Sequence, residues 1–246
     1  MHSSKVRETA LMLLHEGRSL TDVARSLEVS RSTLRAWQAC GQPILRSCAR
    51  CDDADLPAKE YAALLGYYLG DGCVSVAGPH VTFRVSCDVR FPNVVSDVVG
   101  LIRGVNPGRK VFEVPAPGVT VVHSNWKHWP CLFPQHGPGR KHERPIVLED
   151  WQQEIVAEHP ADLLRGLFHS DGSRVRNWAT RVVGGQRRRY DYPRWQFTNN
   201  SRDIQLLCCA ALDAAGIAWR QSNWKTISVS TRAAVATLDQ LIGLKR

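Results

Sequence analysis

YAALLGYYLGDGCVSV at 61–76 and PADLLRGLFHSDGSRV at 160–175 decide the fold. Each reads as a helix, small and apolar along one side, that stops at Asp-Gly. The two aspartates, Asp71 and Asp171, stand 100 positions apart. A lone Asp-Gly is ordinarily no more than a helix-ending turn. Here a second motif recurs downstream: Ser-Asn-Trp-Lys occupies 124–127 and again 222–225, so Lys127 follows Asp71 by 56 residues and Lys225 follows Asp171 by 54. Two motifs repeated in one order at nearly equal spacing make 57–246 a tandem of two like units.

Between these motifs the hydrophobic period alternates in the same way in each copy. Strand-like runs VTFRVSCDV (81–89) and RRYDYPRWQFTN (188–199) alternate branched or aromatic residues with polar ones. Helical runs VVSDVVGLIRG (94–104) and DIQLLCCAALDAAG (203–216) follow, each stopped by glycine. Further strands are expected at VFEV and GVTVVHS in the first copy and at IAWRQSN and TISVS in the second. ERPIVLEDWQQEIVAEHP (143–160) and AAVATLDQLIG supply the closing helices. The expected class is α+β: two pseudo-symmetric αββαββα subdomains, 57–158 and 159–246, with hairpin-sized connections and therefore antiparallel sheets.

GYYLGDG and RGLFHSDG resemble the paired signature helices of the LAGLIDADG homing endonucleases, over roughly 57–246. The nine-letter signature maps onto Leu64 to Gly72 and Leu164 to Gly172, keeping the central Gly66 and Gly166 and both terminal Asp-Gly pairs. The resemblance implies signature helices packed side by side through those glycines and a DNA-binding saddle of two sheets laid along the major groove. Its single-chain members are monomers that cut both strands of a DNA duplex. It further implies Mg²⁺, with Mn²⁺ as a substitute, held by Asp71 and Asp171 with the adjacent backbone carbonyls of Gly70 and Ser170. By the same resemblance Lys127 and Lys225 are the candidate catalytic lysines beside the metal, with Lys141 a rival in the first half. One departure is visible: the signature's earlier acidic position holds Leu69 in one copy and His169 in the other. The chemistry is consistent with such residues, because phosphodiester hydrolysis needs charge stabilised on phosphate oxygens, and hard cations held by carboxylates do that.

Composition points to an acidic partner. Lys and Arg number 32 against 23 Asp and Glu, a formal charge of +9, and only 7 of the 32 are Lys. Guanidinium predominates, which suits phosphates and base edges; an arginine-rich codon bias is the bland competitor. Arg174, Arg176, Arg181, Arg187, Arg188, Arg189 and Arg194 crowd one insert in the second copy, interleaved with Tyr190, Tyr192 and Trp195. Together with Arg84 they are the candidate DNA contacts on the solvent face of the sheets. PQHGPGRKHERP at 134–145 is expected as a loop near the DNA or beside the active site. Trp126, Trp129, Trp151, Trp178, Trp219 and Trp224 are read as core or interface fillers.

The first forty residues form a separate, basic head. Helical spacing over 5–16 breaks at Gly17. Ser19 or Thr21 can cap a second helix, a turn falls near Glu28 and Val29, and Ser30 caps a third that carries Leu34 and Trp37 inward. This segment resembles the helix-turn-helix of homeodomain-like and resolvase-tail domains, with Arg31, Ser32, Thr33 and Arg35 on the exposed recognition face; a hairpin packed on the body is the alternative. Residues 41–56 read as a linker or cysteine knuckle. Of eight Cys only Cys48 and Cys51 have metal-like spacing, half of a Zn²⁺ site that Cys40, Cys73 or a distant His would complete.

No apolar run of 18 residues exists and no secretory signal is legible, so the expected setting is the cytoplasm of a bacterial-type cell, at the nucleoid, with no membrane and no obligate protein partner. The leading function is a site-specific, metal-dependent double-strand DNA endonuclease. The alternative is a non-cleaving DNA-binding transcriptional regulator on the same scaffold, since a family of sporulation regulators also joins such a domain to a helix-turn-helix. Protein splicing is disfavoured, because no nucleophilic Cys or Ser stands directly after Met1 and the sequence ends in LIGLKR rather than His-Asn followed by a nucleophile.

Overall fold

The computed structural model describes residues 4–39, 48–52, 55–78 and 80–246. The chain divides into two compact units, Met1–Asp53 and Ala54–Arg246.

In the smaller unit, α1 (Ser4–His15), α2 (Leu20–Ser26) and α3 (Arg31–Ala39) surround Ala10, Val23, Val29 and Leu34, with Trp37 packed at the edge. Ser19 caps α2, its hydroxyl accepting from the Asp22 amide at 3.1 Å. Glu28 turns the chain with φ 51°, which lets Val29 drop into the core. Ser30 accepts from the Thr33 amide at 3.1 Å and so starts α3. Arg31, Ser32 and Arg35 are exposed and Thr33 is half-buried. A short helix, α4 (Ala49–Asp52), ends the unit.

In the larger unit, α5 (Ala58–Leu69) leads into β1 (Gly72–Ala77) and β2 (His80–Asp88), then α6 (Pro92–Val105), β3 (Phe112–Ala116) and β4 (Val119–Asn125). One turn of helix, α7 (Trp129–Leu132), a 3₁₀ turn (Lys141–Glu143) and α8 (Asp150–Glu158) close the first copy. The second copy runs α9 (Pro160–Asp171), β5 (Gly172–Val183), β6 (Gln186–Thr198), α10 (Arg202–Ala214), β7 (Arg220–Asn223), β8 (Thr226–Val229) and α11 (Arg232–Ile242). Both sheets are four-stranded and antiparallel, in the matching orders β1-β2-β4-β3 and β5-β6-β8-β7, each flanked by helices. Gly72 lies opposite Val85 and Gly172 opposite Phe197, so each Asp-Gly opens the first strand of its sheet at the same register.

The core is built around α5 and α9. From Tyr61 to Leu69 every residue of α5 is buried, the pattern of a helix enclosed on all sides. Close approach explains the central glycines: a Cβ at Gly166 would lie 2.6 Å from the Tyr67 amide nitrogen, and one at Gly66 would lie 2.8 Å from the Leu167 amide nitrogen. Any side chain there would meet main chain of the facing helix, which cannot swing aside.

Register corrects the equivalence drawn from Ser-Asn-Trp-Lys. In the first copy the tetrapeptide runs off the end of β4, whereas in the second it forms the turn between β7 and β8. The counterpart of β4 is β8, so the two tetrapeptides occupy different places in the fold. Their tryptophans differ accordingly: Trp126 is 7% exposed and Trp224 69%. Trp178 is 56% exposed, so Trp178 and Trp224 are not core fillers, while Trp129 is fully buried.

Candidate active site and nucleic-acid surface

Asp71 follows the C-terminus of α5 and Asp171 ends α9, and the close helix packing brings the carboxylates within electrostatic reach of each other. Burial, followed by the charge of Asp71, raises the Asp171 carboxyl to about 6, while the amide of Asn199 opposes the rise by donating to Asp171 Oδ2 at 2.6 Å. Burial also pushes Asp71 upward, against the pull of Lys141 and Lys245. In the second copy Asn199 follows Thr198, and the register-equivalent position in the first copy is Cys87, a buried thiol that burial and Asp71 raise to about 12. The two halves are therefore chemically unlike: an amide holds one carboxylate and a thiol stands near the other.

Two cavities flank this pair. One, about 560 Å³, is lined by Gly70, Gly72, Lys141, Asp171, Asn199 and Lys225. The other, about 640 Å³, is lined by Asp71, Cys87, Ser170, Gly172, Arg174 and Lys245. The arrangement is crossed: each cavity combines the carboxylate of one signature helix with the terminal main chain of the other.

The lysines differ from those the tetrapeptides indicated. Lys225 lines the first cavity, but Lys127 is exposed and lines neither. The cations acting on both carboxylates are Lys141 and Lys245. Lys141 Nζ donates to the carbonyls of Tyr68 (2.5 Å), Gly70 and Gly72 (2.9 Å). Lys245 Nζ donates to those of Ser170 (3.2 Å) and Gly172 (2.6 Å). Burial lowers Lys141 to about 8 and moves Lys245 downward too.

Local structure delivers each lysine. Arg144 ties the 134–145 loop by donating to the carbonyls of Gln135 (3.2 Å) and Gly139 (3.0 Å), and the 3₁₀ turn then presents Lys141. Beyond α11, Gly243 takes φ 71°, and Asn93 at the start of α6 holds the following residues: its amide donates to the Leu244 carbonyl at 2.9 Å and its Oδ1 accepts from the Arg246 amide at 2.6 Å. His169, at the signature's earlier acidic position, sits with Nε2 3.3 Å from the Gly243 carbonyl and Nδ1 3.1 Å from the Tyr67 hydroxyl. Burial lowers its pKa, against the pull of the Gly243 carbonyl, and the proton of the Tyr67 hydroxyl goes to Asp97 Oδ2 at 2.9 Å. The histidine is thus an anchor for the segment that carries Lys245.

Strand alternation sorts the arginines. Trp195 and Phe197 face the core, and opposite Trp195 stands Arg174, whose face continues through Arg176, Arg187 and Arg189. Arg174 is forked onto Asp239 of α11 at 2.8–3.2 Å, and Arg189 pairs with Asp191 at 3.0 Å. The opposite, solvent face carries Arg181, Arg188 and Arg194 with Tyr190 and Tyr192. Of the seven arginines, these three share one face, and Arg174, Arg176, Arg187 and Arg189 lie on the face of Trp195. The hairpin turns at Gly184 and Gly185, φ 59° and 76°, the tight turn that needs two positive φ values. Near its tip Arg181 lies directly opposite Arg188; like charges in that relation repel unless an anion lies between them. In the first sheet Arg84 is exposed and donates to Ser75 Oγ at 2.6 Å.

The cysteines fall into separate groups. In the smaller unit the Sγ atoms of Cys48 and Cys51 are 3.4 Å apart; in the larger, Cys131 Sγ is 3.7 Å from His128 Nδ1. Each group offers two donors of the kind that a structural metal ion takes. Cys40 lies outside the described residues, and Cys73 lines the first cavity instead. Among the described residues no helix is long and apolar enough to cross a membrane.

No family model matches the chain, and no curated protein does. Solved structures do resemble it. A mesophilic variant of the homing endonuclease I-DmoI matches with TM-score 0.46 and 13% identity over 75% of this chain and 95% of that one. Full-length DUF199/WhiA from Thermatoga maritima matches with TM-score 0.47 and 14% identity over 77% of this chain and 56% of that one. The LAGLIDADG meganuclease I-AabMI bound to uncleaved DNA matches with TM-score 0.46 and 13% identity over 74% and 82%. At such identities the likeness is one of fold.

Proposed function

We propose that the larger unit is a divalent-metal-dependent DNA endonuclease that cuts both strands of a duplex, and that the smaller unit adds a helix-turn-helix contact through Arg31, Ser32, Thr33 and Arg35. The observation that carries this is the crossed pair of cavities, each joining one helix's carboxylate to the other helix's terminal carbonyls. Such an all-oxygen donor set, Asp71 and Asp171 with the Gly70 and Ser170 carbonyls, fits a hard cation such as Mg²⁺ or Mn²⁺. When bound, that cation would supply Lewis-acid stabilisation of charge on the scissile phosphate. The chain's own groups do the rest. Asn199 fixes the orientation of Asp171, Lys225 offers a cation to the phosphate entering the first cavity, and Arg84, Arg181, Arg188 and Arg194 grip the backbone on either side. A monomer suffices, because both halves of the site come from one chain.

The test begins by selecting bound duplexes from a randomised library, then incubating them with Mg²⁺ or Mn²⁺ and mapping both strands. Discrete cuts on both strands, lost in Asp71→Asn and Asp171→Asn, are expected. Tight sequence-specific binding with no scission under either metal would refute the enzyme and leave a transcriptional regulator. For Cys48 and Cys51 we propose structural zinc, their spacing and their Sγ atoms 3.4 Å apart supplying half of the four donors such a site needs. Elemental analysis should find one zinc per chain, lost in both Cys48→Ser and Cys51→Ser; a protein that takes up no zinc would exclude it.

A further inference from the structure

Every polar contact of the two buried ammonium groups points to one set of atoms. An ammonium has three protons and no acceptor, and Lys141 spends all three on the carbonyls at the end of α5, those of Tyr68, Gly70 and Gly72. Lys245 spends two at the end of α9, on Ser170 and Gly172. Helix C-termini carry negative partial charge, and here that charge adds to two carboxylates. Each end thus holds its own cation, and two lysines balance two aspartates.

The lysines reach these positions from corresponding parts of the two copies, each beyond the helix that follows the matching strand, β4 or β8. Lys141 comes from the loop between β4 and α8, and Lys245 from the segment beyond α11. Each stands two residues beyond a glycine of positive φ, Gly139 at 75° and Gly243 at 71°, so the internal repeat carries the lysines as well as the aspartates. Each lysine is held by dedicated structure: Arg144 for one, Asn93 and His169 for the other. What the two also have in common is the carbonyls of Gly70 and Ser170.

We propose that Lys141 and Lys245 are resident cations of the metal sites, occupying the Gly70 and Ser170 carbonyls in the metal-free protein, and that a divalent ion binds by exchange with them. This rests on the metal reading above. Two cations cannot draw on one carbonyl oxygen at contact distance without strong mutual repulsion, since like charges a few Å apart in a water-poor site repel by several times their value in water. Entry of the metal must therefore release the ammonium from the helix end. Each freed lysine then stands beside the bound phosphate, so the exchange couples occupancy by metal to occupancy by DNA. Without DNA the site is closed by the protein's own charge.

Mn²⁺ binding without DNA, followed by electron paramagnetic resonance, tests this on the intact chain. Lys141→Met and Lys245→Met should each bind Mn²⁺ roughly tenfold more tightly than wild type, one decade being the least expected from removing a like charge at such range. Equal or weaker binding in both variants would overturn the proposal, because the lysines would then be supports of the site. Wild-type protein gives a second readout that needs no substitution: the rate at which an amine-acylating reagent labels each lysine, by mass spectrometry. Mg²⁺ should raise labelling of Lys141 and Lys245 several-fold and leave Lys59 unchanged; no increase at either would also overturn it. The two readings fail separately. Tighter binding in the variants with no DNA cleavage refutes the enzyme alone, whereas cleavage with unchanged binding and labelling refutes the exchange alone.

Discussion

Replacing Asp171 by Asn should stabilise the protein at neutral pH, the opposite of what losing an ion-paired carboxylate does. Asp171 interacts with Lys141 and Lys245, yet burial and Asp71 prevail and its carboxyl rises from 3.8 to about 6. A folded-state pKa above the unfolded value means that the native protein binds the extra proton, so stability is full below pH 3.8 and is lost as pH rises towards 6. The difference corresponds to about 3 kcal/mol at 1.36 kcal/mol per decade, and partial exposure of the site to water reduces it to about 2 kcal/mol. Asn resembles the neutral acid in shape and can still accept from Asn199. The expected gain is therefore near zero at pH 4 and about 2 kcal/mol at pH 7.5, or about 4–8 °C in the melting temperature of a unit this size. Staying at or below pH 7.5 keeps Lys141, lowered to about 8, mainly charged throughout. Scanning calorimetry in EDTA at both pH values reads the effect directly. A variant less stable than wild type at pH 7.5, or a difference that does not change with pH, would show that the lysines stabilise ionised Asp171 by more than burial costs it.

Gly166→Ala should lower stability by about 3 kcal/mol or more, because its methyl would stand 2.6 Å from the Tyr67 amide nitrogen and could be relieved only by parting α5 and α9; urea denaturation followed by the fluorescence of buried Trp129 and Trp195 checks it, and a loss under 1 kcal/mol would contradict the close packing. Replacing Arg181 and Arg188 by Gln should weaken DNA binding uniformly across sequences and flatten its dependence on log salt by about 2, one phosphate per arginine; an unchanged slope would remove the hairpin tip from the interface, and Arg187→Gln and Arg174→Gln, on the other face, should change it less.

The parts of this protein that were legible in its sequence depend on side-chain pattern, and the parts that were not depend on the main chain. The two signature helices announce themselves because Gly66 and Gly166 are required by contact and the Asp-Gly pairs by the turn into β1 and β5, so three fixed residues recur at the same offsets in each copy. The αββαββα order follows from alternating hydrophobic periods, which a core with one buried face imposes on any sequence. The head was readable for a similar reason, since Ser19 and Ser30 are side-chain caps. Orientation of the arginines was hidden: a charge-rich run states that a hairpin is wet, and only the pairing of Arg174 with Trp195 fixes which residues point towards α11. The lysines show the limit most clearly. Ser-Asn-Trp-Lys recurs by letter without recurring in place, and its tryptophans, one buried and one exposed, answer to different surroundings. Lys141 and Lys245 do recur in place, 70 and 74 residues after their aspartates, yet share only the glycine two residues before them, Gly139 and Gly243. Their partners are peptide carbonyls, present at every residue of every sequence, so a lysine that satisfies them leaves no partner side chain to be read. Such a site is found from where a loop and a tail are fastened, by Arg144 and by Asn93, and not from what the chain spells beside the lysine.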